Sequence, residues 1–249
     1  MNKTDEVIHD LLGFKKRTII QHKDRFHFSL DTVLLADFVH LTQHHKAIID
    51  FGTGHGPIPL ILSTRTTASI VGYEIQKEMV ELAQRNVILN RCDHQISVVE
   101  GDLKTIHRHY PASQFDIVTC NPPYFKLSEA PTLSAQDALK TARHETDMDL
   151  RVVMKAARTV LKQKGSFYMI HRAARIQELA VHLAEYGFSL KRIRMVHSKA
   201  NTPALRVLIE ARFKSTSETK ILPPLIVHQD DGTYSDEAQA IFRNREEAP

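Results

Sequence analysis

From Lys46 onward, short apolar runs alternate with stretches of helical period, a pattern that points to repeated β-α-β units around a mostly parallel sheet. AIIDFG, SIVGYEI, ISVVEGD, FDIVTCN and KGSFYMIH read as strands; PIPLILSTRT, KEMVELAQRNVILNR, DMDLRVVMKAARTVLKQ and AARIQELAVHLAEYG read as helices. The helical signal is strongest over 77–90, where Met79, Val80, Ala83, Val87 and Asn90 recur at three- and four-residue spacings. Gly187 supplies a natural stop for the last of these helices. FSLKRIRMVHS and ALRVLIEARF are then two long strands with a connection short enough for an antiparallel hairpin. The sum is an α/β fold: a mostly parallel, seven-stranded sheet ending in an antiparallel hairpin.

Residues 1–45 differ. TIIQHKDRFHFS looks like a hairpin turning at Lys23 and Asp24, and LDTVLLADFVHL like a helix. They read as a small N-terminal extension packed on a main domain spanning 46–249. Between Phe125 and about Thr146 lies a polar, irregular stretch longer than compact domains usually carry, a length common in functional loops. A chain of 249 residues, 42% of them hydrophobic, can bury one large core. It contains no long apolar span and its start lacks the regions of a signal peptide, so a cytoplasmic protein with no membrane partner is expected. Two cysteines, Cys92 and Cys120, are too few for a disulfide framework and read as packing residues. No spacing among the fifteen histidines marks a metal site, and none is expected.

After the first strand, DFGTGHG sets Gly52, Gly54 and Gly56 at alternate positions and opens into a helix. Glycine permits the tight turn and lets a ligand approach the backbone, while the helix start offers free N–H groups. A dinucleotide fingerprint places its third glycine three residues after the second, where this chain has Pro57. The loop therefore suits a nucleoside without a pyrophosphate, such as S-adenosylmethionine. Glu74 follows about twenty residues later at a strand end, where an acid can accept from both ribose hydroxyls. Asp102 ends the third strand, within reach of an adenine amino edge; either acid alone is also compatible with capping the next helix.

The next strand delivers Asn121-Pro122-Pro123-Tyr124 to the same edge of the sheet. An amino group on an aromatic ring is a poor nucleophile because its lone pair is delocalised into the ring. If the Asn121 side-chain oxygen and the Pro122 carbonyl accept its two N–H bonds, the lone pair turns toward a sulfonium methyl. Pro123, fixed in φ and lacking an N–H, holds that carbonyl outward, and Tyr124 offers a face for a base. Such catalysis is positioning, with acceptors that spread the charge as the amine becomes cationic. A base entering the pocket must be unstacked, which favours single-stranded RNA.

These residues resemble the class I S-adenosylmethionine-dependent methyltransferases that carry NPPY, and more closely the tRNA1(Val) (adenine-N6)-methyltransferases, whose family acts on the adenosine beside the anticodon, position 37. The resemblance runs through FHFSLDTVLLADF, DFGTGHG, NPPYF, ARHE at 142–145 and LIVHQDDGTYSDEA. It implies a Rossmann-like methyltransferase fold, S-adenosylmethionine as cofactor and tRNA as partner; a monomer is expected. It also implies Asp50, Gly52, Gly54, Glu74 and Asp102 at the cofactor and the four NPPY residues in catalysis. Asp31 has two readings: closing over the cofactor's methionine end, or an acid favoured by the positive end of a helix. The family loop commonly reads DLGTGNG, and here Phe51 and His55 depart from it; His55 reads as a tolerated surface residue, with a polar contact as the other option. Arg143 either clamps RNA or makes a salt-bridged helix entry.

The formal charge is +4, and HRAAR at 171–175 and KRIR at 191–194 concentrate base late in the chain. Arg172 and Arg175 are thus candidates for a rim that binds RNA, against the alternative of solvated strand faces. NPPY also serves enzymes that methylate guanine N2 or adenine N6 in ribosomal RNA, adenine in DNA or a glutamine amide in proteins. Ribosomal RNA is the main rival, and an RNA-binding module without catalysis is the remaining class.

Overall fold

The computed structural model describes residues 6–11, 17–22, 29–122, 149–216 and 218–242. Two short strands, β1 (Glu6–Asp10) and β2 (Thr18–His22), pair antiparallel and are followed by helix α1 (Leu30–Phe38). Then strands and helices alternate: β3 (Ala47–Phe51), α2 (Pro57–Ser63), β4 (Ser69–Glu74), α3 (Lys77–Leu89), β5 (Ile96–Glu100), a 3₁₀ helix over Leu103–Arg108, and β6 (Phe115–Cys120). Helix α4 (Leu150–Val160), β7 (Leu161–Arg172), α5 (Ile176–Glu185), β8 (Phe188–His197) and β9 (Ala204–Phe213) complete the pattern. Two-residue strands β10 (Lys220–Ile221) and β11 (Leu225–Ile226) and helix α6 (Asp236–Phe242) close the described chain.

The sheet order is β10-β8-β9-β7-β6-β3-β4-β5, with β11 also on β8. β3 to β7 are parallel, while β9 inserts antiparallel between β7 and β8. The parallel sheet and closing antiparallel pair expected from sequence are both present, but β10 and β11 raise the count from seven strands to nine. Two residues are too few to give a periodic signal. Helix α4 ends at Val160, earlier than DMDLRVVMKAARTVLKQ implies, because Leu161 already pairs with Phe115 of β6.

The parallel strands are buried on both faces, so their apolar runs are nearly continuous. Ile48, Ile70, Ile96 and Ile117 pack on one side with α1 and α2, while Ile49, Val118, Phe167 and Met169 pack on the other with α4 and α5. The N-terminal pair is held by two buried asparagines of α3. Asn86 accepts from Ile20 N at 2.7 Å and donates to Ile20 O at 3.1 Å; Asn90 accepts from Thr18 N at 3.0 Å and donates to Thr18 O at 2.7 Å. β2 thus finds its strand partner in β1, upstream of it. The turn anticipated at Lys23 and Asp24 lies outside the described residues, as does the loop over 125–146.

Candidate active site

The carboxyl edge of the sheet is where β3 turns into α2. Gly54 and Gly56 have φ of +56° and +90°, a region open to glycine at little cost. A Cβ on Gly54 would meet nothing within 4 Å, so that turn borders open space. The turn is fixed from β4: Gly52 N donates to Tyr73 O at 2.8 Å, and Gly54 N donates to Glu74 Oε2 at 2.9 Å. Glu74 Oε1 also accepts from Ile75 N and Gln76 N, each at 2.9 Å. A carboxylate offers about four lone-pair sites, so three backbone donors leave one, on Oε2.

Asp50 is buried at 1% exposure beneath this turn. Its Oδ1 accepts from Thr119 Oγ1 at 2.6 Å, while Oδ2 has no hydrogen-bond partner. Burial, opposed by the Thr119 and Thr53 hydroxyls and aided by the charge of Glu74, pushes its carboxyl from 3.8 up to about 7. An orphaned, buried acceptor beside a turn that faces open space fits a ligand that brings its own donor or positive charge. Cys92 and Cys120 are both buried free thiols, and burial, with Asp50 beside it, pushes the Cys120 thiol well up. A thiol so held is protonated and inert.

β6 lies against β3 with Thr119 opposite Asp50 and Cys120 opposite Phe51, so Asn121 emerges directly beside the glycine turn. Asn121 Nδ2 donates to Thr32 Oγ1 of α1 at 3.1 Å, and Pro122 is buried. The preceding residue of α1, Asp31, accepts from Arg206 Nε at 2.7 Å. The helix-end acid is thereby tied to β9. Pro123, Tyr124 and Arg143 lie outside the described residues.

Arg172 ends β7, is exposed, and stands in register with Arg206. Arg175 gives its guanidinium to Glu178, with contacts of 2.8 and 2.6 Å. Asp102 caps the 3₁₀ helix by accepting from Lys104 N at 2.8 Å through Oδ1. His55 is buried at 6% exposure, and its carbonyl accepts from Asn86 Nδ2 at 2.9 Å, so its reading as a surface residue is corrected. The α3 asparagine that docks β2 also steadies the glycine turn, a link no local pattern encodes.

Three residues at this edge went unrecognised in the sequence. Thr32 and Thr119 are polar positions inside apolar segments, the signal that each is satisfied by a specific partner. Ile75, 59% exposed directly after Glu74, presents an apolar wall where the strand ends. A separate cleft of about 840 Å³ lies at the opposite edge, lined by Lys164, Lys191, Arg212 and Lys214 among others. It contains none of the residues gathered around the glycine turn. Among the described residues, no three of His, Cys, Asp and Glu form a group that holds a metal ion, and no helix is long and apolar enough to cross a membrane.

A family model described as a methyltransferase domain matches residues 42–225. Curated relatives named tRNA1(Val) (adenine(37)-N6)-methyltransferase are similar over most of the chain. The Bacteroides fragilis (strain YCH46) protein is 27% identical, covering 90% of this chain and 92% of its own. The Photobacterium profundum protein is 27% identical, covering 87% and 89%. Among solved structures, Atu636 from Agrobacterium tumefaciens, described as a predicted O-methyltransferase, aligns with a TM-score of 0.69 at 22% identity, covering 86% of this chain and 96% of that one. P. horikoshii TYW2 in complex with MeSAdo aligns at 0.54 and 14% identity, covering 86% and 74%. At those identities the structural likenesses speak for the fold.

Proposed function

The chain belongs to the methyltransferase domain family, and from that premise we propose that it methylates the exocyclic N6 amine of an adenosine in tRNA, the one at position 37 beside the anticodon of a valine tRNA. S-adenosylmethionine, when bound, supplies an electrophilic methyl group on a positively charged sulfur. The observation that carries the reading is the juxtaposition of Asn121 with the glycine turn, fixed by the pairing of Cys120 with Phe51. It sets amine acceptors and cofactor cradle on adjacent strands at one edge. The names of the relatives, 27% identical over most of the chain, supply the tRNA and the nucleotide.

Each residue has a role that its surroundings support. With the cofactor bound, Glu74 Oε2 would accept from a ribose hydroxyl, Ile75 would pack on the adenine ring, and the other oxygen of Asp102 would accept from the adenine amino group. Asp50 Oδ2 would take a donor or positive charge from the methionine end. Asn121 Oδ1 and the Pro122 carbonyl accept the two protons of the target amine and turn its lone pair toward the methyl. As the methyl arrives, the same two oxygens stabilise the charge that develops on nitrogen. No strong base is required, because the methylated amine sheds its extra proton to water. Arg172, at the end of β7 on the same edge, meets RNA phosphate.

The test is to incubate the protein with isotopically labelled S-adenosylmethionine and unmodified total tRNA, digest to nucleosides and identify the labelled one by mass spectrometry. Labelled N6-methyladenosine, lost with Asn121→Ala while cofactor affinity persists, is the expected result. Label that enters ribosomal subunits and not tRNA overturns the substrate and retains the chemistry.

A further inference from the structure

We infer that Thr32, in the N-terminal helix, is a positioning residue that sets which end of the Asn121 carboxamide faces the target amine; the inference rests on the reading of Asn121 given above. An asparagine amide rotates about a broad, two-fold torsion, and its two ends are opposite in hydrogen-bonding character. Only the oxygen can receive an amine proton. If the nitrogen faces the substrate, donor meets donor and the lone pair is not turned toward the methyl. The side chain is productive when a partner holds its nitrogen end.

Thr32 Oγ1 is that partner. It accepts from Asn121 Nδ2 at 3.1 Å, at a residue only 4% exposed, so the contact is shielded from competing water. With Nδ2 held toward α1, Oδ1 is the end turned away from Thr32. The hydroxyl is itself held in place. Thr32 N donates to Ser29 O at 3.0 Å in the first turn, Val33, Leu34, Leu35 and Ala36 bury the helix that follows, and the adjoining Asp31 is ion-paired with Arg206 of β9 at 2.7 Å. Two consecutive residues of α1 thus grip two different strands at the sheet edge, one on each side of β7. The segment before Lys46 contributes to the site itself, although its sequence reads as an appendage.

The experiment compares Thr32→Val, Thr32→Ala and Thr32→Ser with the wild type. In protein labelled with ¹⁵N-asparagine, the Asn121 side-chain NH₂ signal, identified by its loss in Asn121→Ala, reports the contact without any substrate. Removing the hydroxyl shifts that signal and speeds its exchange with solvent; Thr32→Ser restores it. In turnover, Thr32→Val lowers kcat tenfold or more with KM for S-adenosylmethionine unchanged, since misplacement near the reacting atoms costs rate rather than cofactor binding. Thr32→Ala, which suits a helix, gives the same readings should valine disturb folding. An Asn121 signal unmoved in both hydroxyl-free variants overturns the assignment. So does an unchanged kcat beside a moved signal, or a serine variant as slow as valine. If the wild type transfers nothing to tRNA, the substrate reading falls, while the amide signal still decides whether Thr32 orients Asn121.

Discussion

Thr119 donates a 2.6 Å hydrogen bond to Asp50 Oδ1, tying the strand that delivers Asn121 to the strand that opens into the glycine turn. The two residues are also partners in the β3–β6 ladder, so the contact is built into the register. It leaves Asp50 Oδ2 buried without a partner, and burial pushes the carboxyl from 3.8 up to about 7. Below 3.8 the group is protonated in folded and unfolded chains alike. Between 3.8 and about 7 the unfolded chain has lost a proton that the folded chain keeps, so stability falls as pH rises through that window. The slope is at most about 1.4 kcal/mol per pH unit. Chemical denaturation of the wild type and of Asp50→Asn across the window measures it. The difference between the two should carry the slope, and parallel pH profiles would remove Asp50 as its source.

Asn86 has no exposure and joins three segments: its side chain holds both backbone groups of Ile20 and the carbonyl of His55. Asn86→Ala leaves those groups buried and unpaired, at about 1–3 kcal/mol for each that finds no water. A loss of roughly 3 kcal/mol or more in a urea titration is expected. Cofactor affinity should drop as well, because the glycine turn loses its tether. A stable variant with intact affinity would show that water replaces the side chain.

Glu74 separates cradle geometry from ligand contact. Glu74→Gln retains shape but replaces one oxygen by an NH₂, which cannot accept from Gly54, Ile75 or Gln76 N–H. S-adenosylmethionine affinity should fall by roughly tenfold to a hundredfold, an effect of about 1.4–2.7 kcal/mol, with kcat at saturating cofactor much less changed. Calorimetric binding and saturation kinetics read the two. A variant that lost kcat and kept its affinity would place Glu74 in the chemistry.

The parallel sheet was legible because both-face burial writes near-continuous apolar runs, and DFGTGHG was legible because its turn demands glycine. The site's inner hydrogen bonds were less so. Thr119 in FDIVTC and Thr32 in LDTVLLADF are buried polar residues within largely apolar segments; the pattern shows that each must be satisfied but not by whom. Asn90 gave only a helix face and Asn86 gave no signal, since their partners lie 72 and 66 residues away in the chain. Glu74 was placed at its strand end by sequence, yet its saturation by backbone donors is a property of the turn's three-dimensional path. β10 and β11 owe their pairing to the open edge of β8 rather than to any periodicity of their own.

Arg172 and Arg175 look equivalent in HRAAR and are not equivalent in the fold. Arg172 is exposed at the end of β7, opposite Arg206, and makes no ion pair among the described residues. Arg175 is joined to Glu178 through two contacts, so a phosphate must compete with a carboxylate for its guanidinium. That pair is partly exposed and worth about 0.5 kcal/mol, but the neighbouring negative charge also lowers the local potential toward RNA. Arg172→Ala should therefore weaken tRNA binding and reduce the slope of log affinity against log salt by about one. Arg175→Ala should change both much less, and Glu178→Gln should tighten binding slightly by releasing Arg175. Fluorescence anisotropy with unmodified tRNA over a series of salt concentrations gives all three values. The reverse ranking, with Arg175→Ala the more damaging, would move the RNA path from the strand edge onto the start of α5.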